Sequence, residues 1–193
     1  MNVYILLDRS GSMETLWKEA IGSINGYVEK LPQTTNVVLA VFDSNEYNII
    51  RNTTVKKWKD ISTREVSPRG GTPLYDSAAR LLWRAFDDNP ERAVFVVMTD
   101  GFENASKNFN QSSVKQLIKE AEQKDWQVLF LGANFDLVGD QAKQVGLMDS
   151  KFMNIRAHNL QSTMDSLSTY STAYATTGAA INLTSEDKLK AVN

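Results

Sequence analysis

The sequence predicts an α/β fold: a three-layer sandwich with a mostly parallel central sheet, one antiparallel edge strand and helices on both faces. Three observations predict it. The runs at residues 3–7, 36–43 and 93–99 are apolar along their interior, with polar residues only at the ends, rather than alternating, as strands covered on both faces should be. Between and after them lie segments whose apolar residues recur at three- and four-residue steps, the signature of amphipathic helices. The resulting order of strand, helix, hairpin, helix, strand and helix is the alternation that builds parallel sheets. A chain of 193 residues is the length of one domain and can bury about 70% of its unfolded surface.

Each element follows from local pattern. Val3 to Leu7 is the first strand, and Met13, Leu16, Trp17, Ala20, Ile21, Ile24, Val28 and Leu31 mark a helix over 13–31 that Pro32 ends. Residues 36–43 form a second buried strand, Ser44-Asn45 turns the chain, and 46–53 return as the antiparallel edge. Residues 54–71 show no period and read as a long loop. Its lysines Lys56, Lys57 and Lys59 read as a solvated turn. Pro73 suits the first turn of a helix running to about Phe86, which Asp87-Asp88-Asn89-Pro90 terminates. A strand at 93–99, a polar loop at 101–112, a helix at 113–124 and a strand from Gln127 to Leu131 follow. A helix from Phe135 to Val145, an edge strand from Phe152 to Arg156 and a last helix from Leu160 to about Thr176 complete the domain, 1–176. Residues 177–193 carry no firm pattern and are expected to be a tail that is disordered or ordered by a partner.

The chemistry-bearing residues sit where strands end. The first strand runs straight into Asp8-Arg9-Ser10-Gly11-Ser12, which offers one carboxylate and two hydroxyls in a single turn. Ligands of open parallel sheets bind at such carboxyl ends. A donor set of oxygens alone, without sulfur or imidazole, suits a small hard cation. Gly70-Gly71-Thr72-Pro73 brings a third hydroxyl to a loop-to-helix junction, and the strand at 93–99 ends at Asp100-Gly101. For Asp8, Ser10 and Ser12 the plainer reading is a capped helix start, since Ser is a good N-cap.

Taken together, Asp8-x-Ser10-x-Ser12, Thr72 in Gly-Gly-Thr-Pro and Asp100 in Met-Thr-Asp-Gly resemble the metal-ion-dependent adhesion site of the von Willebrand factor type A (VWA) family. The resemblance covers about residues 1–157. It implies a Rossmann-like sheet of order 3-2-1-4-5-6 and a Mg2+ or Mn2+ ion held by Asp8, Ser10, Ser12, Thr72 and Asp100. It also implies a non-enzymatic module in which the Asp or Glu of a protein partner completes the coordination. Asp43, Gly71, Phe102, Glu103 and Asn104 are then candidates for a supporting carboxylate or the rim of the binding face. Among relatives, the chain looks most like the small stand-alone VWA proteins of bacteria and their phages.

Other classes fit less well. A dehalogenase-type phosphatase wants a second Asp two residues after the first, where this chain has Ser10, and neither a P-loop nor a dinucleotide-binding glycine motif occurs. The single histidine, His158, lies far downstream and reads as a surface or capping residue, so a Ser-His-Asp triad is not expected. A Mg2+-dependent hydrolase using Asp8 and Asp100 remains the rival, beside a structural subunit whose site is inactive. The 21 basic and 23 acidic residues give a net charge of -2 with no long block of one sign, which argues against nucleic acid as the main partner. There is no Cys, no apolar run of membrane-spanning length and no signal sequence before the first strand, so a cytoplasmic protein is expected.

Overall fold

The computed structural model describes residues 1–133, 143, 146, 148 and 151–193. Six strands form one sheet: β1 (Asn2–Asp8), β2 (Asn36–Phe42), β3 (Tyr47–Thr54), β4 (Ala93–Thr99), β5 (Gln127–Ala133) and β6 (Phe152–Ile155). Their order is β3-β2-β1-β4-β5-β6. Every pairing is parallel except β2 with β3, which is antiparallel and shifts register between Leu39 and Ala40. The fold class and strand order are those expected from the sequence.

β1 explains the two-sided core. Alternate side chains of a strand point to opposite faces, so Val3, Ile5 and Leu7 join one buried cluster and Tyr4 and Leu6 the other. The first cluster packs under α1 (Trp17–Glu29) and α4 (Leu160–Thr177), the second under α2 (Leu74–Asp88) and α3 (Gln111–Gln123). β4 is buried along its whole length, as a central strand must be. With β1 and β4 adjacent, Asp8 at the end of β1 and Asp100 just past the end of β4 are neighbours although 92 positions apart in the chain.

Three details differ from the sequence reading. The helix expected over 13–31 is divided: Gly11–Leu16 winds as a 3-10 turn before α1 begins at Trp17. Met13 and Leu16 are nonetheless buried, so their periodicity reported burial rather than α-helix. The loop at 54–71 contains a short 3-10 turn, Val55–Lys57, and is pinned to α1. There the Trp17 indole donates to the Val66 carbonyl at 2.8 Å and Asn25 to that of Ile61 at 2.9 Å.

The third difference is a correction. Residues 177–193, expected as a tail without pattern, carry a final helix, α5 (Ser185–Val192). A capping box starts it, with Thr184 and Asp187 exchanging side-chain and backbone bonds. Ile181, Leu183 and Ala191 are buried against the first core cluster. The segment is also held by Lys151, whose buried ammonium donates to Gln127 at 2.6 Å and to the Ile181 carbonyl at 2.5 Å. The helix expected from Phe135 to Val145 lies outside the described residues, apart from Lys143.

Candidate metal-binding site

The site is assembled from three loops at the carboxyl edge of the sheet. Asp8, the last residue of β1, is fully buried and accepts from the Ser10 backbone N–H at 2.7 Å. Its other oxygen accepts from the Thr99 hydroxyl, also at 2.7 Å. The Ser10 and Ser12 hydroxyls are 3.1 Å apart, and Ser12 donates to Asp100 at 2.7 Å. Ser10 stands at the N-cap of the 3-10 turn yet makes no side-chain capping bond. The capped-helix explanation of this turn therefore fails, because the hydroxyl faces the site and not the helix end.

Thr72 arrives from the second loop, and Gly101 shows how close it comes. A Cβ placed on Gly101 would lie 3.1 Å from the Thr72 hydroxyl, 3.7 Å from that of Ser12 and 3.9 Å from Asp8 Oδ2. Oxygens of all three residues thus lie close to one point, where a Cβ would press on the Thr72 hydroxyl. Asp8, Ser10, Thr72 and Asp100 are buried, whereas Ser12 is exposed, so the cluster opens to solvent on one side. All five sequence-derived residues are brought together.

Among the described residues no cation pairs with the two carboxylates of the cluster. Burial pushes the Asp8 carboxyl up to about 6 against the bonds from Thr99 and Ser10, with the Asp100 charge adding to the rise. Burial likewise raises Asp100, partly opposed by Ser12. Arg9, although adjacent in sequence, turns away: its Nε is 2.7 Å from Asp43 and its Nη2 is 2.5 Å from Glu46. Two desolvated carboxylates beside three hydroxyls form a donor set that fits a hard divalent cation, which would supply the missing positive charge. Among the described residues no three His, Cys, Asp or Glu side chains cluster to hold a metal by themselves, so binding here would depend on the hydroxyls.

The candidate supporting residues take distinct places. Asp43 does not reach the five residues; it grips Arg9 and, at 2.9 Å, Arg69, and accepts from the backbone of Asn45 and Glu46. Burial alone would raise its carboxyl, but Arg69, those N–H groups and Arg9 hold it below the usual range. The grip aligns two site loops, since Arg69 N–H donates to the Arg9 carbonyl at 2.7 Å and Gly11 N–H to that of Gly70 at 3.1 Å. Gly70 has φ +71 and a Cβ there would meet the Ser44 hydroxyl at 2.6 Å, so the loop needs glycine on both counts.

Gly71 faces Asn104 in the same way, its Cβ position only 2.8 Å from Oδ1. Asn104 braces Thr72 from both sides, accepting from its N–H at 2.9 Å and donating backbone N–H to its carbonyl at 3.1 Å. Glu103 points inward, its carboxylate accepting from the N–H groups of Tyr75, Ala105 and Ser106. Phe102 is 42% exposed beside the opening and is the one of these residues placed as a rim side chain.

Three residues at the site escaped the sequence reading. Thr99 orients Asp8 and accepts from Gly101 N–H at 3.1 Å; it lay within the quoted Met-Thr-Asp-Gly stretch. Arg9 occupied an unread position between ligand candidates. Asp76 accepts backbone N–H groups from Lys107, Asn108 and Phe109 at 2.7–3.0 Å, tying α2 to the loop after Asp100. Burial would raise its carboxyl, and these bonds hold it low.

A mostly parallel sheet of this order, with oxygen donors gathered at the carboxyl ends of β1 and β4, defines the chain as an open α/β domain. The chain belongs to the von Willebrand factor type A domain family, whose model matches residues 2–172. Curated protein sequences yield no match. Solved structures give similarities in fold. Proximal thread matrix protein 1 from the mussel byssus aligns with TM-score 0.66 at 14% identity, over 86% of this chain and 44% of that one. The vWF domain of the type V pili tip protein Mfa5 from Porphyromonas gingivalis gives 0.64 at 13%, over 87% and 93%. A von Willebrand factor type A protein from Catenulispora acidiphila gives 0.60 at 15%, over 89% and 42%. The chain thus spans less than half of the mussel and Catenulispora proteins. Among the described residues no helix is long and apolar enough to cross a membrane.

Proposed function

We propose that the chain is a non-enzymatic protein-binding module in which Asp8, Ser10, Ser12, Thr72 and Asp100 hold Mg2+ or Mn2+ and a partner's Asp or Glu completes the coordination. The observation that carries this reading is the meeting of two desolvated carboxylates and three hydroxyls: Thr72, Ser12 and Asp8 oxygens lie within 3.9 Å of the Gly101 Cβ position, and Ser12 is joined to Ser10 and Asp100 by hydrogen-bond distances. When bound, the cation supplies a Lewis-acidic position that a carboxylate from another molecule can fill. The chain's own residues have supporting tasks. Thr99 and the Ser10 N–H fix the Asp8 carboxylate, Asn104 fixes Thr72, and the Asp43 grip on Arg9 and Arg69 sets the spacing of their loops.

The donor set favours binding over turnover. Among the described residues neither a His nor a Lys hydrogen-bonds to the five, and His158 is exposed in the 3-10 turn Ala157–Asn159. General acid–base work or a phosphate clamp would need such a group. Membership of a family whose members often mediate protein interactions, and neighbours that include a pili tip protein and a thread matrix protein, support the same reading. Pull-down from the native source in Mg2+ and in EDTA, with Asp8→Ala and Thr72→Ala beside the wild type, tests it. Capture is expected only for the wild type in Mg2+; capture by both folded variants would overturn the bridging mechanism.

A further inference from the structure

The metal reading requires a partner carboxylate at the mouth of the five-residue site, and the surface beside that mouth has features that call for another. A polar cleft of about 160 Å3 opens next to Thr72 and is lined by Pro73, Asp76, Arg80, Tyr47, Glu46 and Lys107, among others. Its acids are already engaged. Asp43 and Glu46 are paired with Arg9 and Arg69, and Asp76 accepts three backbone N–H groups. Its two lining cations are not: Arg80 and Lys107 are exposed and enter no ion pair among the described residues. Asp43 and Glu46 are balanced by Arg9 and Arg69, and Asp76 keeps its charge, so Arg80 and Lys107 together leave the cleft with an excess of one positive charge toward whatever docks over the site.

The Tyr47 hydroxyl adds a donor. It is buried and has no hydrogen-bond partner among the described residues. A buried polar group left unsatisfied is unfavourable and calls for a partner. The guanidinium of Arg80 lies over the Tyr47 ring, 5.7 Å from its centroid. Burial pushes this phenol up to about 12 against Arg80 and Arg84, so it keeps its proton and can donate. At the edge of the same face Trp83, 49% exposed, packs edge-on against Phe109 at 4.9 Å. An exposed Trp beside an unpaired Arg is the composition of an interface anchor.

We propose that this cleft receives a second acidic side chain of the same partner segment, so that the domain recognises an extended peptide carrying two carboxylates. Leu74 begins α2 two residues after Thr72, and Arg80 lies six residues further, about 9 Å along the helix axis at ~1.5 Å per residue, which sets the scale of the separation between site and cleft. An extended peptide covers that distance in about three residues at ~3.3 Å each. The two acids should therefore stand about three positions apart. The inference rests on the metal reading above and adds the charge and spacing of the partner.

Fluorescence anisotropy with labelled Asp-(Ser)n-Asp peptides, carrying zero to about six serines between the acids, tests it in Mn2+ and in EDTA. Single-Asp peptides serve as controls. The expected result is Mn2+-dependent binding of single-Asp peptides and binding about fivefold or more tighter when two or three serines separate two acids. Arg80→Glu and Lys107→Glu, both at exposed positions, should each remove that gain while leaving single-Asp binding and the thermal response to Mn2+ intact. If single-Asp peptides bind and a second acid adds nothing at any spacing, or if both variants keep the gain, this inference is overturned and the metal reading stands. If no peptide binds in a Mn2+-dependent way, both are overturned.

Discussion

Replacing Asp8 by Asn should change the metal-free protein's stability in a pH-dependent way whose size follows from the burial of this carboxylate. Its folded-state value of about 6 lies above the ordinary 3.8, so the folded state binds the proton more tightly than the unfolded chain. Stability from this group is present at low pH and is lost as pH rises from about 4 to above 6. For a shift of this size, linkage gives a loss of about 1 kcal/mol at about pH 4.5 and about 3 kcal/mol at about pH 7.5. Asn carries no charge and escapes the loss, but it gives up one acceptor to Ser10 N–H or Thr99, which costs about 1 kcal/mol. The stability difference between variant and wild type should therefore move in the variant's favour by about 2 kcal/mol between the two pH values. At about 2–4 °C per kcal/mol for a chain of this length, that is a relative Tm change of about 4–8 °C. Thermal melts followed by circular dichroism in EDTA, for both proteins at both pH values, measure it. A gap of the same size and sign at both values would refute the claim that Asp8 is held desolvated and uncompensated.

Other outcomes follow from the same geometry. Mg2+ or Mn2+ at about a hundredfold excess over Kd should stabilise the wild type by ~2.7 kcal/mol and leave Asp8→Asn and Asp100→Asn unmoved, as differential scanning fluorimetry would report. Gly101→Ala should fold normally yet lose most of the metal response, because its Cβ would press on the Thr72 hydroxyl at 3.1 Å; a full response would mean the cation sits elsewhere. Asp76→Asn should lower stability by about 2 kcal/mol through weakened bonds to the 107–109 backbone. Because the folded Asp76 carboxyl is held low, its contribution is present above the unfolded value and is lost as pH falls through the folded one, so urea unfolding should show the gap shrinking in acid. Nucleotides, phosphomonoesters and phosphodiesters should show no Mg2+-dependent hydrolysis above background; turnover abolished by Asp8→Asn and Asp100→Asn would establish the rival hydrolase.

The fold was legible because its strands obey a simple rule: strands buried on both faces are apolar along their interior, and β1, β2 and β4 are, with polar residues only at their ends. That the five candidate residues would meet was legible for a related reason, since each stands at or just beyond a strand end or at a loop-to-helix junction, where the sequence marks the element boundary clearly. Their supports were not. Arg69 and Asp43 are 26 residues apart and Asp76 and Phe109 are 33 apart, and no local pattern announces a pairing made only by the folded loops. Glu103 looked like a rim residue because it is polar in a polar loop, yet the backbone donors around it draw it inward. The final helix was missed because eight residues give too little periodicity to see, and its Leu189 is exposed. The Thr184-x-x-Asp187 capping box was the available signal.

The measurement that bears most directly on the proposed site is titration of Mn2+ into chelator-stripped protein, followed by electron paramagnetic resonance. The predicted result is one saturable site that Asp8→Asn and Asp100→Asn abolish and Thr72→Ala weakens, with a spectrum that changes when acetate or a short Asp-containing peptide is added. Absence of saturable binding, or binding that survives in both Asp variants, would contradict the assignment of these residues as a metal site.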